Sequence, residues 1–325
     1  MSNDVMEKNI ISDNLTAADF ELVNRDTVLR DEKFTTKPVG FFKDVVQRLV
    51  RNRAAITAFT IIVIIAVMAI FGPMMNEFGF NDQNVDWINL PPKVPGLEKL
   101  GIMDGTRVLK NRRLDYLEDT NKYPEGSVIE VMNTYETQGV PMGDVRVDAY
   151  KMAGVPDGTH FVMGTDYLGR DQWTRLWRGA RVSLTIAILS VMVNICVGVI
   201  FGSIAGYYGG KADMIMMRVT EVLGAFPQTI VATMLMLLLG RGISAIVIAL
   251  MIRGWTGSAK LIRAQFMRFK GREYVLAART LGVSDRKLIF RHILPNSIGP
   301  IITQAMVAIP SAIFAESFLA FIGLG

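Results

Sequence analysis

The stretch that decides the fold is EYVLAARTLGVSDRKLIFRHILPN, residues 273–296, a basic and helix-compatible segment between long apolar runs. Glu273, Ala277 and Leu281 lie about one helical turn apart, so they share one face of a helix. Gly282 follows them and can adopt the left-handed conformation that ends a helix. The pattern predicts a short helix that stops at Gly282 and presents a face of small residues.

A second short helix is predicted directly after this turn. Ser284 is a good N-cap, and Asp285 falls in the first turn, where a negative charge is favoured. Pro295 predicts the next break in the chain. The segment is therefore interpreted as a helix–turn–helix that a partner protein can approach closely. The alternative is an ordinary basic loop between membrane helices.

The composition on either side of this segment is that of a membrane protein. The 325 residues are 50% hydrophobic, with a mean hydropathy of +0.31. Three uncharged runs are long enough to cross a hydrocarbon core, which needs about 20 apolar residues. They are residues 54–76, 182–210 and 222–240. Two weaker candidates, interrupted by charges, are residues 243–262 and 298–325.

The charges predict how these spans are oriented. The net charge is +5, and the basic residues concentrate just before the first span and in residues 260–291. By the positive-inside rule both segments, and with them the N-terminus, are cytoplasmic. Nucleic-acid binding is a possible interpretation of any basic run, but membrane topology explains these more simply. The first apolar run begins only after a long polar stretch, a layout that argues against a signal peptide.

The cysteine and histidine residues of the sequence predict neither a disulfide nor a metal site. Cys196 is the only cysteine, so no internal disulfide can form. His160 and His292 lie far apart and lack the spacing of a metal site. No metal is assigned.

The chain divides into a tail, an insert and a core. Residues 1–37 are predicted to be a flexible cytoplasmic tail. Residues 38–53 are either an interfacial helix or the cytoplasmic end of the first span, 54–76. Residues 77–178 form a hydrophilic extracellular insert in which 128–135 and 145–150 are predicted strands. Its role is that of a spacer or contact surface for a binding protein, or of a decorative insertion. Residues 179–325 form the core, with a cytoplasmic loop at 264–297.

The motif GTDYLGRD, residues 164–171, precedes the second span together with GARVSL, residues 179–184. It lacks the alternating acidic ligands of a calcium loop. We interpret it as a structured turn on the outer face, in which Asp166, Arg170 and Asp171 satisfy one another. Direct contact with a substrate is the alternative. The predicted outer motif consists of Gly164, Thr165, Asp166, Gly169, Arg170 and Asp171.

Glycine and proline predict how the spans pack and bend. Gly198, Gly202 and Gly206 repeat at intervals of four, which lets helix backbones approach closely in lipid. Pro227 is predicted to kink the third span or break it near its start.

Polar residues inside spans are expensive and usually face protein or water. The candidates for a transport path are Arg253, Asn194, Gln304 and Glu316, with Gln228 as a further polar residue. Arg253 lies about 11 residues into its span, or roughly 16 Å, which is near the midplane. It either faces a cavity and meets a carboxylate, or it snorkels or pairs with a neighbouring subunit. Glu316 is predicted to be structural, at a helix interface or near an outer gate.

No nucleotide or hydrolase motif is found in the sequence. The nearest approach to a phosphate-binding loop is GGKA, residues 209–212, which lacks the Ser or Thr after Lys211 and has Ala205 in place of the first glycine. The chain is therefore not expected to be an enzyme, and any energy must come from a partner.

The 273–296 segment resembles the coupling loop, often called the EAA loop, of ABC importer permeases. Ala277 and Ala278 form its small pair, Gly282 is its glycine, and Leu294-Pro295 closes it. Leu276 stands where many relatives have Glu, and His292 stands where many have Ile. Both departures resemble the peptide-transporter branch. Residues 164–171 and 179–184 resemble the block before the second span of C-type peptide permeases, and residues 316–325 resemble the fifth-span signature.

This resemblance implies an all-α integral membrane protein of the type I ABC importer permease fold, with about five spans, a sixth expected, and a small extracellular α+β or β insert. It also implies the sites of contact with ATPases. They are Glu273, Ala277, Ala278, Leu281, Gly282, Val283, Ser284, Asp285, Leu288, His292 and Pro295.

The implied function is that of one membrane subunit of an ATP-driven peptide importer in a bacterial plasma membrane. The implied partners are a B-type permease, two cytoplasmic ABC ATPases, an extracellular peptide-binding protein and membrane lipid. ATP and Mg are used by the ATPases, and no cofactor is expected in this chain. Since relatives have a sixth span, we expect either a longer natural product or a truncated, impaired form. The alternatives are transport of nickel or another small solute, and a membrane scaffold or sensor.

Overall fold

The structure, a computed structural model, describes residues 41–240 and 242–324. The predicted tail, 1–37, lies outside the described residues. The chain separates into two compact units, Met1–Thr60 and Ile61–Gly325. Helix α1 spans Phe41–Arg51 and is separated by Asn52 from helix α2, Arg53–Phe71, which contains the boundary between the two units. The Asn52 side chain accepts a hydrogen bond from the Ala55 N–H group at 3.3 Å, so it caps the start of α2.

Four described helices are long and apolar enough to cross a membrane. They cover Arg53–Met74, Gln172–Tyr208, Ile243–Phe269 and Asp285–Phe321. A fifth crossing exists only if the bent pair Gly210–Ala225 and Gln228–Leu239 is counted as one span. The core helices are α4 (Gln172–Tyr208), α5 (Gly210–Ala225), α6 (Gln228–Leu239), α7 (Ile243–Phe269) and α10 (Leu294–Phe321).

Helices α4 and α7 pack against each other through the predicted glycines. A Cβ atom at Gly202 would lie 2.5 Å from the Ala259 carbonyl oxygen, and one at Gly206 would lie 2.6 Å from the Phe266 Cβ atom. Side chains at these positions would force the helices apart. The packing role predicted from the small-residue repeat is therefore confirmed.

Pro227 separates α5 from α6, and the two helices are bent by 80° at this break. The predicted break at Pro227 is confirmed, because proline cannot donate the hydrogen bond that a continuous helix needs. The predicted run 222–240 is consequently not one straight span. Helix α6 has 12 residues, and at about 1.5 Å per residue it is too short to cross the hydrocarbon core by itself.

Pro295 does not break the chain, so that prediction is wrong. A π-helix, Leu288–Ile293, leads without interruption into α10. Pro295 lies in the first turn of α10, where the missing N–H group is tolerated.

The insert between α2 and α4 contains one antiparallel sheet. Its strands are β1 (Thr106–Arg113), β2 (Val128–Thr137) and β3 (Val140–Asp148), in the order β1-β3-β2. Strands β2 and β3 are joined by Gln138-Gly139, both with positive φ, as a tight hairpin requires. Val145 and Val147 are buried on β3, and the short helix α3 (Ala149–Met152) follows. The second predicted strand, 145–150, corresponds to β3, which starts at Val140 and ends at Asp148.

Strand β1 is absent from the sequence prediction. Its residues TRVLKNRR carry four basic side chains and do not alternate between apolar and polar. The strand forms because β3 offers it a partner, and pairing overrides the weak local pattern.

Candidate functional site

The 273–296 segment forms two short helices around a tight turn. Helix α8 spans Glu273–Thr280 and helix α9 spans Asp285–Lys287. Between them Gly282 has a φ of +77°. Its N–H group donates to the Arg279 carbonyl at 3.0 Å, and the Val283 N–H group donates to the Ala278 carbonyl at 3.1 Å. The left-handed turn predicted at Gly282 is confirmed.

One side of this turn is open to a partner and the other side is packed. Glu273 and Ala277 are exposed, and Leu281 is 84% exposed at the tip. Leu281 therefore places an apolar side chain at the surface beside small residues. We call Glu273, Ala277, Leu281 and Gly282 the exposed face.

Two residues predicted for partner contact are buried instead. Ala278 and Leu288 lie in a core cluster with Phe266 and Val275, so their side chains support the turn from below. Helical geometry explains this result, since Ala278 is next to Ala277 but points about 100° away around the helix axis. Val283 and His292 are half-buried.

Ser284 does not cap α9 with its side chain. It occupies the N-cap position with extended backbone angles, yet it makes no side-chain cap hydrogen bond. The predicted cap is therefore wrong in its chemistry, although the helix begins where expected. Asp285 accepts instead a hydrogen bond from the Tyr207 hydroxyl group at 2.5 Å.

A basic groove lies beside the turn. It has a volume of about 650 Å³ and is lined by Ser284, Arg286, Lys287, Phe290, Arg291 and Pro295. Its three cationic side chains form no ion pair with any residue that the structure describes. Phe290 is 51% exposed within the groove. The groove therefore fits a surface that carries negative charge and an apolar contact.

The outer motif is a joint between α4 and the insert. Asp166 pairs with Arg170 at 2.7 Å. It also accepts hydrogen bonds from the N–H groups of Leu168 and Arg170 at 2.8 and 3.0 Å. Burial by itself raises the pKa of Asp166, but the hydrogen bonds from Arg170 and Leu168 outweigh burial and hold the pKa below its ordinary value.

Asp171 has a different role from the one predicted. It does not pair with Arg170; it caps α4 by accepting from the Thr174 N–H group at 2.8 Å, and it accepts from Asn76 Nδ2 at 2.6 Å. A residue directly before a helix is well placed for this cap, and sequence spacing alone cannot distinguish a cap from an ion pair.

Glycine allows the outer motif to approach the insert closely. A Cβ atom at Gly164 would lie 2.2 Å from the Leu90 carbonyl oxygen, and one at Gly169 would lie 1.8 Å from the Asn84 carbonyl oxygen. Thr165 accepts a hydrogen bond from the Leu90 N–H group at 2.8 Å. The motif therefore holds the insert against the top of α4.

Three of the predicted polar residues share one cavity. Asn194 from α4, Gln228 from α6 and Gln304 from α10 line a cavity of about 230 Å³, together with Ser190 and Ser311. Ser190 Oγ and Asn194 Oδ1 are buried and have no hydrogen-bond partner among the described residues. A buried polar atom without a partner is costly, so these oxygens are available for a ligand or water.

Arg253 and Glu316 do not line this cavity. Arg253 Nη2 donates a hydrogen bond to the Gly224 carbonyl at 3.1 Å, so it ties α7 to the end of α5. Glu316 accepts a hydrogen bond from Ser183 Oγ at 2.8 Å. Both side chains are thus engaged with protein at helix interfaces.

Tyr207, near the end of α4, contacts the 273–296 segment and is absent from the residues predicted for this site. It lies 78 residues before Asp285, and only folding brings the two together. No local pattern marks such a contact, although a tyrosine at the polar end of an apolar helix commonly finds a hydrogen-bond partner.

Comparison with known proteins identifies two matching families. Residues 198–325 match the family described as binding-protein-dependent transport system inner membrane component. Residues 40–92 match the N-terminal TM domain of oligopeptide transport permease C. The first match contains the 273–296 segment and most of the cavity residues.

Three relatives are similar to the chain. The dipeptide transport system permease protein DppC of Lactococcus lactis subsp. cremoris is 35% identical, covering 94% of this chain and 81% of that protein. The oligopeptide transport system permease protein OppC of Bacillus subtilis is 32% identical, covering 90% and 75%. The DppC protein of Bacillus subtilis is 46% identical over 52% of this chain, and the match spans about half of that relative, 53%.

Proposed function

Since this chain belongs to the binding-protein-dependent transport system inner membrane components and is a permease of the C type, we propose that it carries peptides across the membrane as one half of an ATP-driven importer. The observation that carries this proposal is the extent of similarity to peptide permeases. Two of them are similar over at least 90% of the chain, insert included.

The exposed face supports a coupling role. It is exposed on the side of the turn away from the core cluster, with Leu281 at its tip and a basic groove beside it. When the partner ATPases close on ATP, they would push this face, and the push would pass to the core helices. Alternating access requires such a rigid-body displacement between two states.

The polar cavity supports a transport path. Its lining of amide and hydroxyl groups matches the hydrogen-bonding groups of a peptide main chain, which offers both donors and acceptors. Among the described residues that line the cavity none is charged, so it would not bind cargo by charge. Gln228, Asn194 and Gln304 are the residues proposed to touch the passing peptide.

The partners follow from the same role. We propose a B-type permease as the second half of the path, two cytoplasmic ABC ATPases and an external peptide-binding protein. ATP and Mg would be consumed by the ATPases. The chain is a multi-pass protein of the bacterial plasma membrane, and the basic residues before α2 and after α7 support a cytoplasmic N-terminus.

Uptake of a labelled oligopeptide tests this function. Cells lacking the gene should lose uptake, and a plasmid that restores the gene should return it. Uptake of labelled nickel should be the same in both strains. Loss of nickel uptake with normal peptide uptake would shift the substrate to a metal ion. No change in either, together with no bound ATPase, would favour a scaffold.

A further inference from the structure

Tyr207 joins helix α4 to both sides of the turn at residues 279–285, which we call the coupling turn. Its hydroxyl group donates to Asp285 Oδ1 at 2.5 Å and accepts from Arg279 Nη2 at 3.2 Å. The Arg279 guanidinium also lies over the Tyr207 ring, 5.5 Å from the ring centroid. Tyr207 is only 6% exposed. One buried hydroxyl group therefore contacts a residue before the Gly282 turn and a residue after it.

The turn keeps its own shape without Tyr207. The backbone hydrogen bonds from Gly282 to Arg279 and from Val283 to Ala278 close the turn locally. These bonds do not connect the turn to any span. Among residues 273–296, all of which the structure describes, Arg279 and Asp285 reach α4 by hydrogen bonds, and both reach it at Tyr207.

The α4 end of this connection is firmly held. Gly206, the residue before Tyr207, is so close to α7 that a Cβ atom there would lie 2.7 Å from the Arg263 carbonyl oxygen. Lys270 Nζ donates to the Gly206 carbonyl at 3.0 Å. A displacement that reaches Tyr207 is consequently shared by α4 and α7, which contribute Asn194 and Gly254 respectively to the lining of the cavity.

We propose that Tyr207 is the positioning residue that transmits movement of the coupling turn to α4. This inference rests on the proposed function, because it assumes that an ATPase moves the turn. Without the hydroxyl group the turn could still bind the ATPase through its exposed face. The turn would then be held to α4 and α7 by apolar packing alone. It would follow α4 less closely, so ATP would be hydrolysed with less movement of the spans.

The chain offers a matched pair of variants. Tyr207→Phe removes both hydrogen bonds and keeps the buried ring. Tyr208→Phe makes the same change one residue later, where the side chain is 58% exposed and forms no described hydrogen bond. The complex is purified through a tag on this chain, placed in vesicles with its binding protein, and supplied with labelled tri-alanine and ATP. Peptide translocated and ATP hydrolysed are measured together.

We expect Tyr207→Phe to lower the ratio of peptide translocated to ATP hydrolysed by about threefold to tenfold, the range for one or two lost hydrogen bonds. ATPase co-purification should be unchanged. Tyr208→Phe should keep the wild-type ratio. Loss of stability alone would reduce both rates together and leave their ratio unchanged.

An unchanged ratio in Tyr207→Phe would overturn the inference, as would loss of the ATPase from the complex. Failure of the proposed function looks different, since the wild-type complex would then move no tri-alanine. In that case, hydrogen exchange of the backbone amides tests the role of Tyr207 separately. Residues 279–288 should exchange faster in Tyr207→Phe than in Tyr208→Phe, and equal exchange would again contradict the proposal.

Discussion

At the scale of single residues, Gly282 shows how one backbone conformation supports an interface. Its φ of +77° lies in the region that costs other residues about 1–2 kcal/mol. No heavy atom lies within 4 Å of the position where its Cβ would be. The need for glycine therefore comes from the backbone, while the surrounding space is left for a partner.

Gly282→Glu should weaken binding of the ATPase about tenfold or more, because it strains the turn and places a charge at the exposed face. Titration of the purified ATPase onto the permease complex measures this. Gly271→Glu is the control, since it adds the same charge in open space without a positive φ. Equal binding by both variants would place the contact elsewhere.

Gly254 leaves room for the Asn194 side chain inside the cavity. A Cβ atom at this position would lie 2.2 Å from Asn194 Nδ2, so the amide would have to rotate away. Gly254→Ala should lower peptide uptake about twofold to tenfold, the effect of one strained side-chain rotamer, while assembly is retained. Gly257→Ala on the same helix meets nothing within 4 Å and should keep normal uptake. Reduced uptake in both variants would mean that Asn194 is not the cause.

At the scale of elements, hydrogen bonds and an ion pair connect the end of α2, the start of α4 and the insert into one joint. Trp173 Nε1 donates to the Gly72 carbonyl at 2.9 Å, and Arg181 Nε donates to the Ala69 carbonyl at 2.8 Å. The Arg181 bond satisfies a carbonyl group in the last turn of α2, and the Gly72 carbonyl accepts from Trp173 in addition to the Met75 N–H group at 3.2 Å. The Asp166–Arg170 pair and the Asp171 cap complete the joint from the α4 side.

The joint should lose stability in acid. The pKa of Asp166 is lowered in the folded state, so its ionised form stabilises the fold at pH values above the ordinary pKa of about 3.9. This stabilisation is lost as the pH falls from that value towards the lowered pKa. Amide exchange of residues 164–172 should therefore be protected after incubation at about pH 6 and less protected after incubation near pH 3.

Asp166→Asn should lose this protection already near neutral pH, and its exchange should depend less on pH. Asp157→Asn is the control, because Asp157 is exposed and forms no described hydrogen bond or ion pair. The same pH dependence in Asp166→Asn as in the wild type would assign the effect to another group.

Local features of these elements could be predicted from sequence, and contacts between distant residues could not. The turn at Gly282, the break at Pro227 and the packing of Gly202 each follow from one residue's backbone or volume. Strand β1, the Tyr207–Asp285 bond and the Asp171–Asn76 bond each depend on a partner that only the fold supplies. The break predicted at Pro295 is wrong because this proline lies in the first turn of α10, directly after a π-helix, and no local signal predicts that geometry.

At the scale of the whole molecule, burial differs sharply among the long helices. In the most apolar stretch of α7, 50% of the residues are buried, whereas only 6% are buried in those of Arg53–Met74 and Asp285–Phe321. Phe314 and Phe321 of α10 are 75% and 87% exposed. Helix α7 is thus the centre of the packed core, and α10 offers apolar surface to lipid or to a second permease.

Charge is also unevenly distributed across the molecule, and the groove beside the coupling turn holds three cations that form no ion pair with the residues that the structure describes. Binding of the ATPase should therefore weaken when ionic strength rises from about 0.1 M to about 0.5 M, because screening shortens the range of charge interactions. Replacing Arg286, Lys287 and Arg291 together by Gln should lower affinity and flatten the salt dependence. The matched triple change of Arg107, Lys110 and Arg112 in the insert should do neither, and an equal effect would reveal a nonspecific response to net charge.

The rigid joint between α4 and the insert has a practical consequence for observing the transporter at work. The hairpin turn at Gln138-Gly139 is exposed and lies at the end of the sheet. A fluorophore attached there would turn with α4, since Thr165 and the motif glycines hold the insert against that helix. Polarised single-molecule fluorescence from this dye would then record each stroke of the permease in real time, without a label in the membrane.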